Sequence, residues 1–250
     1  MVLFQNPDLP QGVSADLYFT AIVIELIFFG FLLLIVLLSI KKSIERRTGL
    51  NILMVSILIG FSAGLFFTAF GKISVLFLRL KYEEGVLFDI IGLIIIAFVH
   101  CLFMSFALQV FTDMPSKKKT ILSLIYFILY IPIIVGFFLF FFGLGSYIYL
   151  IFHLVLSFLL CGVIIINARK SAKSAEIKLH KIGMWLIFLT GLCLALYYTL
   201  TMISMFLIEI KILKPFNLLY FISWIFMILA IFLTYTGFFQ PNWLKKIIKS

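Results

Sequence analysis

The sequence predicts an all-α polytopic membrane protein: a seven-transmembrane-helix bundle with its N-terminus outside and its C-terminus cytoplasmic. Three observations carry that prediction. Of 250 residues, 64% are hydrophobic and only 12% charged, whereas soluble domains are about 45–50% apolar and about 25% charged. No water-soluble core absorbs that much apolar surface, so the bilayer must act as solvent. The apolar residues also fall into seven runs, each meeting the ~20 residues that cross ~30 Å of hydrocarbon. Finally, fifteen of the twenty lysines and arginines lie in the connections after the first, third and fifth runs or in the tail. Such an excess marks cytoplasmic loops.

Residues 1–16 hold Asp8 and Asp16 but no basic residue, with Pro7, Pro10 and Gly12 among them. They lack the basic start of a signal peptide and read as an extracytoplasmic segment. The first span, Leu17–Ile40, ends in Lys41 and Lys42. The others are about Leu50–Phe70, Val86–Phe111, Ile121–Phe142, Tyr147–Asn167, Ile182–Ile208 and Phe216–Phe239, so that the bundle covers residues 17–244. Residues 245–250 form a basic cytoplasmic tail. Lys72 follows Gly71, and Ile73–Leu80 is amphipathic, so the second helix either projects beyond the bilayer or gives way to a surface helix. Arg169–His180 has good helix formers and no Gly or Pro, which predicts that the fifth helix continues into the cytoplasm. Trp224, Trp185 and Trp243 fall where interfacial aromatics are expected.

The net charge of +10 is explained by orientation of the loops, and no basic face is large enough to follow a nucleic-acid duplex. Cys101, Cys161 and Cys193 all sit inside apolar runs and read as buried hydrophobes. No metal-ligand spacing, phosphate loop or nucleophile motif occurs, which argues against an enzyme. No metal and no cofactor are expected.

Ionisable side chains within apolar runs are the candidate site, because each is costly in lipid and needs a partner. Asp89 and His100 are eleven residues apart, roughly 1,100° of helix, and share one face of the third span to within about 20°. Counted at 1.5 Å per residue, Glu25 lies about 12 Å and His153 about 9 Å below the outer ends of their helices. Glu25, Asp89 and His153 are therefore expected to line an outer-half cavity, with His100 and Tyr197 as its floor; the alternative is a structural network that fixes packing. His100 is about 21 Å deep, which puts His153 roughly 12 Å higher. Two axial histidines on one haem need matching depth.

Thr190, Tyr197, Thr201 and Ser204 share a face of the sixth span, as Ser223, Met227, Ala230 and Thr234 do in the seventh. Such rows bridge helices or line a cavity. In the second span, Ser56, Gly60, Gly64 and Thr68 form a row of small residues suited to close backbone approach.

The stretch Tyr235-Thr236-Gly237-Phe238-Phe239-Gln240-Pro241-Asn242-Trp243-Leu244 resembles the ending of uncharacterised archaeal seven-helix membrane proteins, which are similar to the seven-span input modules of sensory histidine kinases. The resemblance implies a sensor-like bundle and supplies no catalytic residues. The expected function is a receptor-like sensor in the cell membrane that binds a small or lipophilic ligand. It would signal to a separate cytoplasmic protein through Arg169, Lys170, Lys173 and Lys178. A small-molecule or proton-coupled transporter is the competing expectation, and a membrane scaffold or enzyme the third. Beyond the lipid bilayer and that signalling protein, the sequence names no partner, and it leaves the oligomeric state open.

Overall fold

The computed structural model describes residues 13–141 and 148–249, together with Leu9. Most of residues 1–16, the connection between the fourth and fifth spans (Phe142 to Tyr147) and Ser250 lie outside the described residues. The rest is helical, with no strand among the described residues: α1 (Ala15–Arg46), α2 (Gly49–Phe77), α3 (Tyr82–Phe111), α4 (Ser116–Phe141), α5 (Ile148–Ser174), α6 (Lys178–Glu209), α7 (Leu218–Phe239) and α8 (Asn242–Lys249). The first seven are long and apolar enough to cross a membrane. Each predicted span falls on one of them.

Short polar caps set the boundaries. Ser14 accepts from the Leu17 amide at the start of α1, and Thr48 from the Asn51 amide at the start of α2. Arg47 ends α1 in the left-handed region, so only two residues, Arg47 and Thr48, separate α1 from α2. At the start of α3 the Glu84 carboxylate accepts from the Lys81 amide, satisfying a donor that the helix itself leaves free.

Two boundaries resolve differently from expectation. The amphipathic segment after Gly71 is no surface helix: α2 runs unbroken to Phe77. The fifth helix continues past Arg169 but stops at Ser174, and α6 starts at Lys178. Glycine and proline are not required for that break, because α6 must run back beside α5 and a reversal has to fall between them. The basic tail is α8, a short amphipathic helix of Trp243, Leu244 and lysines.

Consecutive helices pack side by side and α7 returns to α1, closing a ring; α3 also touches α5. Contacting α2, α4 and α5, α3 is the axis of the bundle. The α2–α3 seam is the closest approach. A Cβ on Gly64 would lie 2.7 Å from Ile96 Cγ1, and one on Gly92 2.8 Å from the Gly64 carbonyl oxygen. The small-residue row is thus a packing seam. At the other end of the ring, Arg46 donates to the Phe239 carbonyl at 3.1 Å, tying α1 to the last turn of α7. The residues Tyr235 to Leu244 do local structural work there. Gly237 lies against Gly183, where a Cβ would meet the Gly183 carbonyl at 2.8 Å. Gln240 ends α7 in the left-handed region, and Pro241 follows it, as expected just past a helix end.

One buried apolar cluster runs through α1 to α7. The outward faces are rich in exposed aliphatics such as Ile27, Leu37, Ile52, Leu124 and Ile166. That inverted exposure suits lipid contact. Trp224 does not join it. It packs inward against Phe28, Tyr197 and Tyr220, because its turn of α7 faces α1 and α6.

Candidate functional site

The ionisable groups separate into two clusters. The first lies where α1, α2, α3 and α7 meet, toward the amino-terminal end of α1. The row Ser56, Gly60, Gly64, Thr68 advances four residues at a time, and its next member is Lys72, which therefore points at the same neighbour. The backbones come close here too, since a Cβ on Gly71 would sit 2.6 Å from the Gly85 carbonyl oxygen. That contact carries the Lys72 ammonium to Asp89. Lys72 Nζ lies 3.1 Å from Glu25 Oε1 and 3.5 Å from Asp89 Oδ1, and donates to the Thr68 carbonyl at 3.2 Å. From α7 the Tyr220 hydroxyl donates to the same Glu25 oxygen. Phe216 places its ring 5.8 Å from the ammonium.

Glu25 is fully buried and Lys72 is 6% exposed, while the Asp89 side chain retains 36% of its surface. Asp89 is the edge of the cluster and Glu25 its inner end. Two carboxylates share one ammonium, so the fully ionised set carries one negative charge in excess. Glu25 Oε2 has no hydrogen-bond partner. In a medium of low polarity such an imbalance is costly, and a proton or a bound cation relieves it.

The second cluster is His100 with its neighbours from α4, α5 and α6. His100 Nδ1 lies 2.9 Å from the Tyr130 hydroxyl, and Nε2 lies 2.5 Å from the Tyr198 hydroxyl. A neutral imidazole offers one donor and one acceptor, and a hydroxyl can serve either. Ser157 Oγ lies 3.4 Å from His100 Nδ1 and donates to the His153 carbonyl at 2.7 Å. The His153 ring stacks on His100 with centroids 5.1 Å apart and planes 13° from parallel. Phe61 closes the remaining side.

This arrangement corrects the sequence reading in three places. His153 does not join Glu25 and Asp89; it belongs to His100, at His100's own depth. Counting from helix starts treated all outer ends as level. His100 is eighteen residues into α3 and His153 five residues into α5, so their contact sets the described start of α5 roughly 20 Å deeper than that of α3. The reason given against haem also fails, since the depths match, but stacked rings 5.1 Å apart leave no room for a macrocycle between them. Lastly, His100 and Tyr197 form no common floor. Tyr197 faces Trp224 on α7, and its neighbour Tyr198, about 100° around the helix, reaches the imidazole. Lys72, Tyr220, Tyr130, Tyr198 and Ser157 were all missed as site residues. The four-residue row ending at Lys72 and the His153 to Ser157 spacing were the available signals.

The hydroxyl rows of α6 and α7 split by depth. Deep in the bundle, Thr234 donates to Thr190 Oγ1 at 3.4 Å, bridging the helices. Nearer the other end, Thr201, Ser204 and Ser223 line a cavity of about 190 Å³ with Met205, Ile208, Pro215, Phe216 and Tyr220. Between the two clusters lies a small apolar void of about 20 Å³, lined in part by Tyr197 and Trp224. Arg169, Lys170 and Lys173 stand exposed at the far end of α5, and Lys178 at the start of α6. Lys170 lies 3.5 Å from Asp113.

No protein-family model matches the chain, and neither a curated protein nor a solved structure matches it. The chain is read as a multi-pass membrane protein from its seven apolar helices.

Proposed function

We propose that the protein is a receptor-like membrane sensor, without catalytic activity, whose small ligand occupies the cavity between α6 and α7. One observation carries the reading. Tyr220 is at once a wall of that cavity and a donor to the buried Glu25 carboxylate. A molecule that moves Tyr220 therefore acts on an ion cluster joining four helices, and a two-state shift of that cluster moves them together. Glu25 and Asp89 belong to the relay, and Tyr220, Ser204 and Ser223 to the ligand contacts. His100, His153 and Tyr197 stiffen the bundle below. On this reading the cavity opens outside the cell membrane, as the loop charges favour. Arg169, Lys170, Lys173 and Lys178 contact a separate cytoplasmic partner. Tyr235–Leu244 resembles the ending of seven-helix membrane proteins that are themselves similar to seven-span sensor modules, which supports the same class.

The excess carboxylate favours a second reading, a proton-coupled carrier using Glu25. The two part experimentally. Purified protein is screened against small molecules by thermal stabilisation, beside Ser223→Leu, which fills the cavity. The sensor reading expects a stabilising compound that loses its effect in Ser223→Leu, and no proton flux in liposomes. Proton flux abolished by Glu25→Gln would replace it with the carrier.

A further inference from the structure

A groove lies at the opposite end of the molecule from the ion cluster, among the basic connections. It holds about 440 Å³ between the last turns of α3 and the first turns of α4, with Leu50 of α2 at its edge. Its polar lining is Ser105, Gln109, Ser116, Lys119, Thr120 and Ser123. None of these is acidic. Lys119 Nζ donates to the Gln109 carbonyl at 3.2 Å, and Gln109 Nε2 donates to Ser105 Oγ at 3.2 Å, so the ammonium is held across the groove. The acid in the adjoining connection, Asp113, is 95% exposed and lies 3.5 Å from Lys170 of α5.

An ammonium, four hydroxyls and the free amides of the first turn of α4 all favour an anion with several acceptor oxygens. Depth says which kind. Ser123 lies seven residues into α4, roughly 10 Å along its axis, so the polar wall descends beside lipid rather than stopping at the surface. Alongside and below it α4 presents exposed Ile121, Leu124, Ile125 and Ile128. A ligand with a phosphate above and acyl chains below fits both halves. The geometry points to a binding site for one anionic phospholipid, its phosphate held by Lys119, Ser116 and Thr120, and its acyl chains lying along α4. An inorganic phosphate would use the upper half alone.

The test uses the full chain, delipidated in detergent, with bound lipid counted by native mass spectrometry. Phosphatidylglycerol and phosphatidylcholine are titrated separately, and inorganic phosphate serves as competitor. One phosphatidylglycerol is expected to bind at least about tenfold more tightly than phosphatidylcholine, the scale of one charge-assisted contact. Lys119→Gln should lower that affinity about tenfold. Ser123→Leu, which fills the lower groove, should do the same through a change that leaves the charge intact. Lys246→Gln, on α8, should leave it unchanged. Wild-type retention in both groove variants would overturn the site, as would an equal loss in Lys246→Gln. Displacement of the lipid by millimolar phosphate would overturn the lipid assignment in favour of a free anion.

Discussion

Two buried polar clusters sit in the same bundle, and they have been solved by opposite chemistry. Around His100 the partners are imidazole and hydroxyl groups, and both His100 nitrogens meet tyrosine hydroxyls. Around Lys72 the groups are charged, the count is uneven, and one oxygen of Glu25 is left without a donor. A network of imidazole and hydroxyl hydrogen bonds favours one arrangement of its helices. An unbalanced ionic one has a second state within reach, because a proton, a cation or a moved Tyr220 changes its energy. On the function proposed above, burial alone does not mark the functional cluster; the mismatch in charge does.

The largest expected effect comes from the ionic side. Lys72→Met leaves Glu25 and Asp89 facing each other without a cation, and breaking a buried pair in this way costs about 3–5 kcal/mol. The detergent-solubilised protein should lose that much stability in chemical unfolding. Adding Glu25→Leu to Lys72→Met should recover a large part of it, since the unpaired buried charge is gone. A double variant no more stable than Lys72→Met would show that the cluster does not act as a unit.

On the His100 side, His100→Leu takes the imidazole away from the Tyr130 and Tyr198 hydroxyls. Each buried polar group left without a partner costs about 1–3 kcal/mol. The same unfolding measurement should show a loss of roughly 2–3 kcal/mol for the variant, with Tyr198→Phe in the same background returning part of it. If the comparison between the clusters is right, His100→Leu leaves ligand stabilisation in the α6–α7 cavity unchanged. A variant that loses ligand response while keeping its stability would move His100 to the functional side.

The same contrast explains what could be read from the residues. The seven spans were legible because hydropathy over some twenty residues is a strong signal, and the α2–α3 seam because small residues recur every four. Glu25 and Asp89 stood out as carboxylates in apolar runs, and the structure brings them to one ammonium. Lys72 does not stand out as a site residue, because it follows Gly71 at the edge of the hydropathic run, where a charge looks solvated. His153 was misplaced because depth was counted from the start of its own span, and the sequence gives no level common to two helices. Tyr197 stands out because it shares a face with Thr190 and Thr201; one residue of rotation separates that side of α6 from the imidazole side, where Tyr198 lies. In each case the missing quantity was the position of one helix against another.

The smallest effects test how tightly each cluster depends on backbone contact. On α2, beside the ion cluster, a methyl group on Gly71 would lie 2.6 Å from the Gly85 carbonyl and 3.2 Å from Phe88 Cβ. Gly71→Ala should cost about 1–3 kcal/mol, the usual range for overpacking, and should separate Lys72 from Asp89 as α2 and α3 move apart. On α5, nine residues beyond His153, a Cβ on Gly162 meets nothing within 4 Å. Gly162→Ala should raise stability by about 0.5–1 kcal/mol through helix propensity alone. Combining Gly71→Ala with Asp89→Asn separates geometry from charge. If Gly71→Ala acts by pulling the ion pair apart, its cost shrinks once Asp89 carries no charge to lose. An undiminished cost would mean that the seam holds the helices together whether or not the ions pair, and that the cluster is a passenger on the packing.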